Sequence, residues 1–323
     1  MKSSMKLGED VKDQRSKRHL DKISNLPDEL LALILSFLPT WNAVRTSILS
    51  RRWRYLFTLT DCLSFNDAPF IKYEGGGIKE IEPARKKRFK EFVYEVLRVH
   101  KMSPIRKFSL VCRAIYDKSH FNTWVKHAIQ RGVQKVRYQV NNENGLCGLS
   151  DDLVMCKTLV NLKVRGNPNH AMKIPLSSWL PSLKILHLHR IRFVDYHSME
   201  RLLSSCEFLE ELILKCCAFW ARGHVTISLG QLKVLKITHC YVGNGLFEME
   251  APKLAYLTYY SICGVKIVPL WKYSRSLVKA KLHFNSEAND RSLYGDRSLK
   301  NNCDILRTAA DKITELHLLS DSV

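Results

Sequence analysis

Ten cysteines and twelve histidines give this 323-residue chain an ample stock of side chains that could bind a metal or attack a carbonyl. Spacing decides whether they do. A zinc site needs converging thiolates and imidazoles, usually as close pairs, yet no Cys-x-x-Cys occurs and Cys206, Cys216 and Cys217 have no paired histidine motif beside them. His187 and His189 share a strand face and could bind a metal, but two surface imidazoles are the simpler reading. A thiol nucleophile needs an oriented base. The adjacent pair His239-Cys240 does not offer one, because neighbours on a strand point to opposite faces. Gly75-Gly76-Gly77 lacks both the following Lys-Ser/Thr and the Gly-x-Gly-x-x-Gly spacing of a phosphate cradle. No catalytic, cofactor or metal residue is assigned, and the chain reads as a non-enzyme.

Composition points to binding. The excess of 51 Lys+Arg over 31 Asp+Glu gives a formal charge of +20, which attracts nucleic acid, anionic lipid surfaces or acidic proteins. Two short basic runs, Lys12 to Arg18 and Arg85 to Lys90, read as a solvated tail and helix face, or as nuclear-import or anion-binding elements. A hydrophobic share of 46% is enough for a sizeable core. Scattered cysteines and the absence of any Asn-x-Ser/Thr sequon favour a reducing compartment, nucleus or cytoplasm.

Against that charge stands an apolar stretch near the start, LPDELLALILSFLP at residues 26–39. Its uninterrupted part, Leu30 to Leu38, would span only about 14 Å as a helix, whereas a bilayer core needs about 30 Å. Pro39, Thr40 and Trp41 follow where a signal peptide would carry a cleavage site. No membrane segment is expected. Instead Pro27 opens a short helix, Asp28 and Glu29 suit its positive end, and Pro39 stops it. Thr40 can cap a second helix and Ser50 a third, RRWRYLF. Three helices in about forty residues rarely stabilise themselves. They must pack on the rest of the chain or be completed by a partner.

The organisation that follows is a basic flexible tail over 1–20, the three-helix unit over 21–62, a connector with an amphipathic helix over 63–104, and repeats over 105–323. The frame Leu-x-x-Leu-x-Leu, or its aliphatic equivalent, appears at Leu159/Leu162/Val164, Leu183/Leu186/Leu188, Leu209/Leu212/Leu214, Leu232/Leu235/Ile237 and Leu254/Leu257/Tyr259. Degenerate copies begin at Ile105, Val133, Leu277 and Ile313, making nine units. Such spacing predicts a solenoid, one short parallel strand per unit with the marked residues inward. Asn167, Cys217, Cys240 and Asn285, three places after the last marked residue, are expected to bond turn backbone inside the coil.

Alternation then names the outward residues. Lys163 and Arg165, His187 and His189, Lys215, Lys236, Tyr256 and Tyr260, and Lys279 and Lys281 line a concave, positive face. That face suits an acidic or phosphorylated protein segment. A merely solvated sheet face is the bland alternative.

Residues 21 to 57, DKISNLPDELLALILSFLPTWNAVRTSILSRRWRYLF, resemble an F-box, and their coupling to degenerate leucine-rich repeats resembles the plant F-box/LRR family, many of whose members end in an FBD region. The resemblance rests on Leu26-Pro27, the Leu-Ser-Phe-Leu-Pro helix end, the Thr-Ser-x-Leu-Ser-Arg-Arg-Trp-Arg stretch and the order of parts. Trp41 stands where the family commonly has Lys, Phe57 where Trp is common, and no recognisable FBD region follows Leu318. The resemblance implies an α/β fold, a three-helix F-box followed by a leucine-rich solenoid with a parallel concave sheet. It also implies a substrate receptor of a Skp–cullin–F-box ubiquitin ligase, reaching cullin and RING subunits through the Skp-type adaptor. Leu26, Pro27, Leu30, Ile34, Leu38, Val44, Ile48 and Trp53 are the adaptor-facing candidates, with Trp53 the expected hot spot. Leu31, Leu35 and Leu56 would hold the helices together. A non-degradative F-box scaffold and a nucleic-acid-binding basic solenoid are the alternatives.

Overall fold

Where buried and exposed residues alternate along the repeats, parallel strands form, and they stack in strict register. The computed structural model of the chain describes residues 23, 25–70, 83–100, 103–141, 149–167, 171–219, 224–242, 246–261, 267–269, 276–284 and 315–320. The basic tail, the glycine triplet and Asn285 lie outside them. Among the described residues ten strands build one parallel sheet in chain order: Cys62–Asn66, Lys107–Ile115, Lys135–Asn141, Asn161–Arg165, Ile185–His189, Glu211–Lys215, Val234–Thr238, Tyr256–Ser261, Lys279–Phe284 and Glu315–Ser320. Leu162 stands opposite Leu186, then Leu212, Leu235 and Leu257, so the inward leucines form one continuous ladder.

Each turn of the coil is closed by a corner whose geometry repeats. Arg190, Cys216 and His239 follow their strands directly and adopt left-handed φ of 56°, 53° and 53°. Their N–H groups donate to the carbonyls of Lys215, Thr238 and Tyr260, one repeat further on, at 2.8, 2.8 and 3.0 Å. The corner aims the next side chain inward, so Cys217 and Cys240 are buried. The Cys217 thiol donates to the Leu188 carbonyl at 3.4 Å and that of Cys240 to Thr238 at 3.5 Å. Burial pushes the Cys217 thiol up, keeping it a donor. Cys216 is exposed and Cys217 buried, a split that arises from the left-handed corner at Cys216 and not from strand alternation.

The opposite, convex side changes along the coil. Helices α3 (Pro83–Val99), α4 (Lys118–Ile129), α5 (Asp151–Val154) and α6 (Tyr196–Ser204) lie between the first six strands of the sheet. Later connections are extended, with His224–Ser228, Leu246–Glu250 and Ile267–Pro269 forming a second parallel sheet.

The N-terminal unit begins with α1 (Asp28–Ser36) and α2 (Thr40–Arg45), but the expected third helix is two short 3-10 turns, Arg52–Arg54 and Leu56–Leu59. Thr40 does not cap α2. Its hydroxyl accepts the Ser64 N–H at 2.7 Å, tying α2 to the first sheet strand. No Ser50 cap bond precedes the 3-10 turn either. That first strand, Cys62–Asn66, runs from the last residue assigned to the three-helix unit into the stretch assigned to a connector, so the sheet starts earlier than the aliphatic frame implied. Its Leu63 and Phe65 face Phe108 and Leu110 in register. Thr60 stands where the frame expects an aliphatic residue, buried with its hydroxyl donating to Phe57. Trp41 fills the angle between unit and solenoid, edge-on to Phe70 at 4.8 Å and Phe92 of α3 at 5.2 Å. One hydrophobic core therefore runs from Leu31 to Ala280.

Candidate functional site

The first surface is built on α1, which is apolar on two sides. Leu31, Ala32 and Leu35 are buried, whereas Leu30, Leu33, Ile34 and Phe37 recur at i, i+3, i+4 and i+7 on the exposed side. A helix whose outer stripe is leucine, isoleucine and phenylalanine presents an interaction surface, since exposed apolar patches of this kind mark partner sites. Leu38, Ile48 and Leu49 are exposed nearby in sequence, with Phe37 at 80% and Ile48 at 85%. The carbonyl of Pro27 receives the N–H groups of Leu30 and Leu31 at 3.1 Å each, starting the helix. Arg52 ties this same end of the helix to the 3-10 turn by pairing with Asp28 at 2.6 Å.

Of the residues expected to face an adaptor, Pro27, Leu30, Ile34, Leu38 and Ile48 are exposed, while Leu26 and Val44 are half-buried against the core. Trp53 requires a correction. It is only 7% exposed and belongs to the core, so it holds the bundle and does not offer itself to a partner. The reason is the tight 3-10 winding of Arg52–Arg54, which turns the indole under the bundle while Arg52 and Arg54 stay outside. Leu33 and Phe37 were absent from the expected set, although continuing the stripe from Leu30 and Ile34 by one helical step finds both.

The second surface is the outward side of the ten-stranded sheet. Register lines Lys163, His187, Ile213, Lys236, Thr258 and Lys281 in one row across six strands. Arg165, His189, Lys215, Thr238 and Tyr260 form the parallel row one step later. Lys163, Arg165, Lys215, Lys236 and Lys281 are exposed, and Tyr256 and Lys279 flank them on the entering side. Tyr260 stands against the His239 ring, 4.2 Å between centroids. The positive face continues further than expected, through Lys107, Lys135 and Arg137 on the second and third strands. The degenerate frames at Ile105 and Val133 carried that signal.

His187 and His189 occupy the same side of one strand but meet different surroundings. His187 Nε2 lies 2.6 Å from Glu211 Oε1, and burial, with Lys163 and Lys236 on either side, holds its pKa below the ordinary imidazole value against the pull of that carboxylate. His189 is lowered by burial, then by Arg165, Lys215 and Arg190. Among the described residues no three His, Cys, Asp or Glu side chains converge as a metal site, and no helix is long and apolar enough to cross a membrane.

Comparison with known proteins matches these parts in the same order. The F-box domain profile matches residues 23–64, and the profile of the At1g61320/AtMIF1 LRR domain matches residues 96–294. The putative F-box/LRR-repeat protein At3g58880 of Arabidopsis thaliana is 36% identical over 245 residues, 75% of this chain and 53% of that protein. F-box/LRR-repeat protein At1g06630 of the same plant is 36% identical over 275 residues, covering 82% and 64%. F-box/LRR-repeat protein At3g60040 is 34% identical over 321 residues, covering 94% and 68%. The chain thus spans about half to two thirds of the length of these curated relatives.

Proposed function

Because the chain belongs to the F-box/LRR-repeat family, we propose that it is the substrate-recognition subunit of a Skp–cullin–F-box ubiquitin ligase. The exposed stripe of α1 docks on a Skp-type adaptor, which links the chain to cullin and RING subunits. The concave sheet holds a target protein carrying acidic or phosphorylated segments. The receptor forms and breaks no bond; it raises the effective concentration of target lysines near the ubiquitin thioester. The observation that carries this reading is the pairing, on one continuous core, of an unpartnered apolar helix face with a basic sheet face.

The two faces separate in a binding experiment. Ile34→Ala with Phe37→Ala is expected to weaken adaptor binding by about 100-fold or more, since two hot-spot truncations cost about 2 kcal/mol each. The melting temperature should not change, because both side chains are exposed. Lys236→Glu with Lys281→Glu should leave adaptor binding intact and abolish capture of target under proteasome inhibition. Full adaptor binding by the first variant would refute the docking face. Unchanged target capture by the second would refute the target face.

A further inference from the structure

Charge is distributed unevenly between the two edges of the concave sheet. Where the chain comes into the fifth, sixth and seventh strands, a carboxylate neutralises the cations: Glu210 holds Lys184 at 3.0 Å and Lys233 at 2.7 Å, while in mid-strand Glu211 lies 2.6 Å from His187. Along the edge where it leaves, the fourth, fifth and sixth strands end in Arg165, His189 and Lys215, which stand opposite one another in register. Arg190 follows at the left-handed corner. Every charged group acting on His189 is one of these cations.

Neighbouring strands are about 4.8 Å apart, so the three strand ends lie within roughly 10 Å of one another. Arg165 and Lys215 stand one strand away on either side of His189. None of the four basic groups forms an ion pair with a described carboxylate, although the other edge has such pairs. The corner N–H groups are already spent, with Gly166 donating to the His189 carbonyl at 2.9 Å and Arg190 to Lys215 at 2.8 Å. A ligand at this edge is therefore held by side-chain charge alone.

We infer that Arg165, His189, Arg190 and Lys215 bind the phosphoryl group of a phosphorylated serine or threonine in a target segment, an inference that rests on the sheet being the target face. A phosphate monoester carries close to two negative charges and three acceptor oxygens at one point, which suits donors reaching inward from three strands. A carboxylate, with one charge and two oxygens, leaves most of the cluster unneutralised. The cluster is also bounded. In the same row Gln139 precedes Arg165, and Thr238 and Tyr260 succeed Lys215. A nucleic-acid backbone needs cations repeated along a track, whereas in this row the basic residues are confined to three successive strand ends, which suits a single phosphoryl group.

His189 supplies a reporter. Burial and the surrounding cations from the neighbouring strands and its own corner keep the ring neutral near pH 7, and an arriving dianion favours the imidazolium.

The full chain, purified with its Skp-type adaptor, is titrated with N-acetyl-phosphoserine N-methylamide and with the glutamate analogue, following the His189 ring by NMR at constant pH. The phosphoserine probe should shift the ring saturably toward its protonated position, with the glutamate analogue at least about tenfold weaker because it lacks the second charge. Arg165→Gln with Lys215→Gln should abolish the shift without altering the melting temperature. Equal response to both probes, an unchanged response in that variant, or stronger displacement by a short oligothymidylate than by free phosphoserine would overturn the site. Adaptor retention in the same sample reports separately on the receptor reading. A chain that holds the adaptor and ignores both probes refutes the phosphoryl site alone, and one that cannot hold the adaptor refutes the receptor.

Discussion

Asp67 carries its carboxylate into a site sealed from solvent. Both oxygens accept from the Arg113 N–H, at 3.0 and 2.9 Å, and one accepts from Ala114 at 2.9 Å, where the pairing of the second strand shifts between Val111 and Ile115. Burial raises its pKa against these hydrogen bonds. Removing the acceptor strands the buried Ala114 N–H and the partly buried Arg113 N–H, at about 1–3 kcal/mol for a fully buried group. Asp67→Ala should therefore lower unfolding stability by about 2–5 kcal/mol in urea titrations, with faster amide exchange at Ala114. Trp53 makes a second residue-scale contrast. Trp53→Ala is expected to cost about 3–5 kcal/mol as a core truncation, so any loss of adaptor binding should follow loss of fold, and Trp53→Phe should restore both. Neither role could be read from the chain alone. An aspartate closing a short strand looks like a turn residue, and the groups it serves lie 46 residues away. A tryptophan between arginines looks like an exposed anchor until the tight winding around it is known.

At the scale of the corner, space and backbone conformation decide what fits. A Cβ on Gly166 would lie 2.8 Å from the Arg190 carbonyl oxygen and 2.8 Å from Ile191 Cδ1. Gly166→Ala must push the next corner aside, and a loss of about 1–3 kcal/mol is expected from such overpacking. Cys216 has the opposite problem, a side chain in left-handed backbone. Cys216→Gly should leave melting unchanged or raise it slightly, while Cys216→Val should lower it, because branching at Cβ suits that region least. Differential scanning fluorimetry of the three variants ranks them, and a stable Gly166→Ala would disprove the close approach. The strands themselves were legible because burial alternates with period two, so the aliphatic frame and the inward leucines coincide. Legibility stopped at Thr60, whose polarity hid the first strand, and at Thr40, whose hydroxyl serves the sheet instead of its own helix. The outward cations followed from the same alternation. Their division into paired and unpaired groups did not, because ion pairs such as Glu210 with Lys184 and Lys233 depend on side-chain reach across neighbouring strands.

Over the whole molecule, the N-terminal bundle and the solenoid behave as one packed body, and the joint between them contains a titratable group. His100 is fully buried at the end of α3, its Nε2–H donating to the Thr60 carbonyl at 2.7 Å while Nδ1 finds no partner. Arg131 donates to the His100 and Ser103 carbonyls, and Arg131 and His127 are the charged groups acting on the ring. Burial, first of all, holds the His100 pKa below the usual imidazole value near 6.5. A depressed histidine is neutral in the fold and takes up a proton more readily when unfolded. Its contribution is present above the unfolded pKa and is lost as pH falls toward the folded one. Unfolding free energies from urea titrations should therefore drop between pH 7.5 and 5.5, by at most about 1.4 kcal/mol per pH unit from this one proton. His120, His127, His187 and His189 are lowered in the same direction and add to the slope. His100→Gln keeps a donor toward Thr60 without the titration, so its slope should be shallower than that of the natural chain. Because Thr60 joins the bundle to the first strand, adaptor binding should weaken over the same pH range only as folding does. Adaptor release at pH 6 from a chain whose unfolding midpoint has not moved would show that the two bodies are not coupled through this joint.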